Sequence, residues 1–102
     1  MKDLHAIFTE FKAEFPGIHE KEAALGREVH LAGGPLDERT RALIKVAVAG
    51  ASRHDRALET HLAKAREVGA SDEELRHALL LLIPTCGFPT FMEAYQVYKR
   101  AG

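Results

Sequence analysis

Histidine is the side chain best suited to moving a proton near neutral pH, and His54 and His61 stand seven residues apart in a segment with helical periodicity. Seven residues are nearly two turns, so both imidazoles are expected on one helix face, about 10.5 Å apart along the axis. That is too far for the i, i+4 histidine pair of zinc-binding helices, and carboxylates from Asp55, Glu59 or another subunit would be needed to complete a metal site. His61 is bracketed by Leu58, Leu62 and Ala65, where an imidazole can relay a proton or can serve as a hydrogen-bonded packing residue. His54 falls in the first turn and is open to solvent or local hydrogen bonds. The single cysteine, Cys86, lies in the turn Pro84-Thr85-Cys86-Gly87-Phe88-Pro89, where free amides of the next helix could favour a thiolate or its neighbours could bury it as an inert hydrophobe. Asp55, Glu59, Glu67 and Glu74 read as surface charge and capping. There is no G-x-G-x-x-G, Walker loop or H-E-x-x-H, so neither a cofactor nor a metal is expected.

The elements that must position these residues are all helical. Leu4, Ile7, Phe8, Phe11 and Phe15 recur at helical spacing behind Asp3 as a cap, and Pro16-Gly17 ends that run. A second segment covers Ile18 to Leu31 and breaks at Gly33-Gly34-Pro35. Asp37 caps a third over 38–51, with Leu43, Ile44, Val46, Ala47 and Val48 nearly continuous. Ser52-Arg53-His54-Asp55 resembles a capping box that opens the histidine-bearing helix, which should end at Gly69. Ser71-Asp72-Glu73-Glu74 is a clearer box, and its helix is predicted to run through Ala78–Ile83 until Pro84. Pro89 starts the last helix, with Phe91, Met92, Ala94, Tyr95, Val97 and Tyr98 for packing. Neither apolar run shows the alternation or turn pairs of a hairpin, so strands are rejected and about six helices are predicted in one domain over residues 1–102.

Composition narrows the function classes. With 102 residues and 46% hydrophobic against 28% charged, the chain is an ordinary folded globule whose small interior favours burial against partner subunits. A net charge of -1, with basic residues dispersed among acids, excludes a nonspecific nucleic-acid or anionic-membrane binder. One cysteine excludes an internal disulfide framework or a C-x-x-C redox pair. The amino-terminal stretch lacks a signal-peptide core and no apolar run approaches about 20 residues, so a cytoplasmic location is expected.

The segments Asp37–Ala49, His61–Leu75 and Cys86–Ala94 together resemble the carboxymuconolactone decarboxylase and AhpD-like alkylhydroperoxidase superfamily. The resemblance implies an AhpD-like orthogonal helical bundle that assembles as dimers, trimers or hexamers, often with the reactive pocket at a subunit contact. In the peroxidase-like branch a C-x-x-C pair stands seven and four residues before the equivalent of His61. Here those positions are His54 and Ala57, and the branch's relay glutamate falls near Ala42, so dithiol peroxidase chemistry is disfavoured. The decarboxylase-like branch shares the histidine and the Gly87-Phe88-Pro89 turn, although its acidic residue four positions before the histidine is Ala57 here. By that resemblance His61 would donate a proton to the carbanion or enolate left by carbon dioxide, His54 would hold a substrate carboxylate, and Cys86 and Phe88 would line the substrate. The alternative from a different class is a noncatalytic oligomer that keeps the pocket for ligand binding or packing.

Overall fold

The computed structural model describes residues 3–101, and within them the chain is all-α, the orthogonal helical bundle expected, with seven helical segments of which one is a five-residue turn. Two compact units divide the chain, Met1–Pro35 and Leu36–Gly102. The first is a helical hairpin of α1 (Leu4–Glu14) and α2 (Pro16–Ala32). Asp3 caps α1 as predicted, its Oδ1 accepting from the Ala6 amide at 2.7 Å. Pro16 ends one helix by starting the next, because a first-turn proline gives up only an amide that has no intrahelical partner. Phe8 meets His19 edge to face at 5.5 Å, and Phe11 lies between Phe8 and Phe15. No described residue of either helix is buried.

The second unit comprises α3 (Glu38–Ala51), α4 (Asp55–Glu67), α5 (Asp72–Leu80), α6 (Leu82–Cys86) and α7 (Phe88–Ala101). Asp37 accepts from the Thr40 amide at 2.8 Å, and Ser71 with Glu74 forms the full reciprocal capping box. These charged hydrogen bonds hold both carboxyls below the usual carboxylate range: the Thr40 amide acts on Asp37, and the Ser71 amide, then Arg39, on Glu74. Gly69, at φ +95°, supplies the left-handed turn that closes α4. The core is Val46, Leu58, Leu62, Leu75, Leu79 and Val97, all fully buried, each side chain contributing about 1.5–3 kcal/mol of burial. Gly50 lets α3 approach its neighbours closely: a Cβ there would stand 3.1 Å from Leu82 and 3.3 Å from Ala94.

Two local expectations are corrected. Ser52 does not open α4; its backbone is helical and its amide donates to the Val48 carbonyl, so it closes α3, and the cap position of α4 falls to His54. Arg53 makes the reversal between them in the left-handed region at φ 58°. The predicted fifth helix also breaks, at Leu81, and Pro84 sits inside the short α6, where a first-turn amide has no carbonyl to meet. The break turns Leu82 into the core but leaves Leu80, Leu81 and Ile83 exposed.

Candidate functional site

His61 is half-buried on α4, at the edge of the inward stripe made by Leu58, Leu62 and Ala65. His54 is not a helical residue two turns earlier but the exposed cap of the same helix, with φ −93° and ψ 81° and its amide donating to the Ala49 carbonyl. Its side chain makes no capping bond, so the α3–α4 turn rather than helical periodicity sets where it points.

That turn is tied to α7 by its strained neighbour. The Arg53 guanidinium donates to Thr90 Oγ1 at 3.0 Å, and its Nε lies 3.4 Å from Glu93 Oε2. Thr90 is the one buried polar residue among those described, so the bond also satisfies a hydroxyl removed from water. A non-glycine residue in the left-handed region costs of order 1–3 kcal/mol, and the two bridges to α7 oppose that cost. Cys86 ends α6 and is exposed, with its Sγ 3.6 Å from Thr85 Oγ1. Gly87, at φ +95°, turns the chain into α7. Phe88 then starts a ladder of rings along that helix, 5.9 Å from Phe91, which stacks on Tyr95 at 5.3 Å and through it on Tyr98. The exposed Phe88 is the open end of this ladder.

A basic group that the sequence reading did not single out lies on α3 and α4. Arg41 and Lys45 are one turn apart on α3 and half-buried; Lys64 follows His61 by one turn on α4. Burial, and then the charges of Lys64 and Arg41, push the Lys45 ammonium below the usual lysine value. Arg41 donates one terminal nitrogen to the Leu36 carbonyl, while its buried Nε makes no hydrogen bond among the described residues. The signal was present in the i, i+4 spacing of two cations, the second of them inside the apolar run from Ala42 to Ala51. Elsewhere in this unit α3, α5 and α6 enclose an open cavity of about 500 Å³, lined mostly by apolar side chains such as Leu43, Ile44, Ala78 and Leu81, with His77 and Thr85 on its wall. His54, His61, Cys86 and Phe88 do not line it. Among the described residues, no three His, Cys, Asp or Glu side chains are grouped to hold a metal, and no helix is long and apolar enough to cross a membrane.

Residues 21–100 match the carboxymuconolactone decarboxylase family. The chain belongs to that family. Among curated proteins it is similar to the uncharacterized protein MJ1511 of Methanocaldococcus jannaschii, at 29% identity over 85 residues that span 83% of this chain and 78% of the relative. Among solved structures it is similar to apo-lpg0406, a carboxymuconolactone decarboxylase family protein from Legionella pneumophila, with a TM-score of 0.83 at 24% identity, covering 97% of this chain and 90% of that one. The structural likeness carries the fold alone. This chain has no cysteine pair, since Cys86 is its sole thiol.

Proposed function

We propose that this family member is a cytoplasmic homo-oligomeric lyase acting on a small carboxylated lactone or a related metabolite through His61. The observation that supports this most is the gathering of Arg41, Lys45 and Lys64 around the α3–α4 pairing that carries His61. Arg41 and Lys45 are half-buried and Lys64 is exposed, and together they concentrate positive charge at this pairing, which attracts an anionic substrate. The Arg41 Nε offers such a substrate a donor.

In the proposed reaction the bond to the carboxylate carbon breaks and carbon dioxide leaves. The electron pair passes into an enolate on the lactone carbonyl, where the cations oppose the growing negative charge. His61, protonated, then gives its proton to the carbanionic carbon. His54 holds the substrate carboxylate, and Cys86 and Phe88 contact the substrate body. No thiol redox step is involved.

Decarboxylation of carboxylated lactones by the wild type, His61→Ala, His54→Ala and Lys45→Met tests this reading. His61→Ala is expected to lower kcat by about 10²–10⁴-fold, and His54→Ala and Lys45→Met to raise KM. Full activity in both histidine variants removes the proposed roles. The second reading, a noncatalytic ligand-binding oligomer, is favoured by Ala42 and Ala57, which stand where the family's branches place carboxylates. Native mass spectrometry with metabolite mixtures separates the two, because only the enzyme converts what it binds.

A further inference from the structure

Eight large apolar side chains of the α1–α2 hairpin are 48–76% exposed, Phe8, Ile18, Leu25, Val29 and Leu31 among them. Ile18, Leu25 and Val29 recur after seven and four residues, so they form one continuous stripe of α2. Leu31 lies on the other side of the helix, so at about 100 Å² each the three stripe residues leave on the order of 300 Å² of apolar surface open along one line. The α3–α5 cavity is the matching feature of the other unit: about 500 Å³, open and apolar-walled, with exposed Ile44 and Leu81 on it. Each chain thus carries one apolar stripe and one apolar groove.

We infer that the hairpin stripe of one copy docks in the α3–α5 groove of a second copy, and the second hairpin in the first groove. This rests on the homo-oligomer reading above and names its surface. Two reciprocal contacts satisfy two-fold closure and give every copy the same buried surface, on the order of 600 Å² for the pair of stripes and about as much again for the grooves that cover them, at the low end of stable interfaces. An anionic lipid surface fits the stripe poorly, because the carboxylates of this hairpin outnumber its cations.

Two single-cysteine proteins make the test, one carrying Leu25→Cys with Cys86→Ser and the other Ile44→Cys with Cys86→Ser. Mixed, refolded together and treated with a short bismaleimide, they are expected to yield a covalent heterodimer joined between positions 25 and 44. The Ile18→Glu, Leu25→Glu variant of the full chain is expected to weaken association about 100-fold or more by light scattering, with its helix content retained in circular dichroism. A chain holding both cysteines that cross-links at monomer mass places the hairpin in its own groove and overturns the inference. Binding of the wild type to zwitterionic phosphatidylcholine vesicles that Leu25→Glu abolishes, with no heterodimer formed, overturns it in favour of a membrane. A wild type that oligomerises without the cross-link, and is unaffected by the glutamates, overturns the surface and leaves the oligomer reading standing. A wild type that stays monomeric at all concentrations removes both.

Discussion

The two units use the same kind of sequence to opposite ends. In Leu36–Gly102 the apolar periodicity is consumed inside the chain: Leu58, Leu62, Leu75 and Leu79 are removed from water. In Met1–Pro35 an equally regular periodicity leaves no described residue of either helix buried. Amphipathicity therefore specifies that a face will be covered, but not by what. Within the first unit the side chains that meet across and along the helices include Phe8, Phe11, Phe15 and His19. A hairpin of that size buries too little to offset the entropy of ordering it, whereas the five-helix unit has a contiguous core.

The largest expected effect separates these regimes directly. Leu62→Ala removes a side chain with no exposure from the core and should destabilise by about 2–5 kcal/mol, independently of protein concentration. Leu25→Ala, on the exposed stripe, should leave the monomer's stability within about 0.5 kcal/mol and act only where copies associate, so its effect on Tm should grow with protein concentration. Chemical denaturation of both variants over a hundredfold range of concentration checks this; a large, concentration-independent loss for Leu25→Ala would mean that the stripe is already covered within one chain.

A smaller effect sharpens the comparison at glycines. Gly26 and Gly50 both lie inside helices, but a Cβ at Gly26 meets nothing within 4 Å while one at Gly50 meets Leu82 and Ala94. Gly26→Ala should therefore stabilise by about 0.5–1 kcal/mol through helix propensity alone. Gly50→Ala should forfeit that gain to overpacking of about 1–3 kcal/mol and come out destabilising. Thermal melts of the two variants decide the signs, and a stabilised Gly50→Ala would show that α6 and α7 yield easily at that contact.

Much of the fold was legible because its punctuation is local. Asp37, Ser71 with Glu74, and Gly69 each act on amides or dihedrals within a few residues, and each does so as the sequence implied. Ser52 misled because the same residue can open one helix or close another, and the choice was made by its own amide bonding back to Val48. The break at Leu81 was illegible for a different reason: an all-round apolar run has no preferred face until neighbouring helices choose one, and Leu82 turned inward where Leu81 did not. Of the candidate site, His54 and His61 could be placed on one element, and Cys86 and Phe88 around one turn. The link between the two places could not, because Arg53 reaches Thr90 across 37 residues and does so from a backbone conformation that arginine rarely adopts. Lys45 escaped notice because lysines normally mark solvent, and its half-burial beside Lys64 exists only once α3 and α4 pack.

The smallest expected effect concerns that lysine and has a definite sign. Burial, then Lys64 and Arg41, lower the Lys45 value in the folded chain relative to the unfolded one, so folding disfavours its charged form. Below the folded-state value both states hold the proton and the whole cost is present. As pH rises through the folded-state value the native chain sheds a proton that the unfolded chain still binds, and stability recovers until the unfolded value is passed. Asp37 and Glu74 act in the opposite sense: their lowered values contribute stability above the ordinary carboxylate range that is lost as pH falls through the folded-state values. Lys45→Met should therefore raise Tm slightly below the folded-state value, with the advantage narrowing as pH rises from there to the ordinary lysine value, and the acid limb should stay unchanged. Melts across that range check it, and parallel curves for variant and wild type would show that Lys45 carries no folding cost. A positive result would locate a folding cost at the α3–α4 pairing, where Arg41, Lys45 and Lys64 bring like charges together.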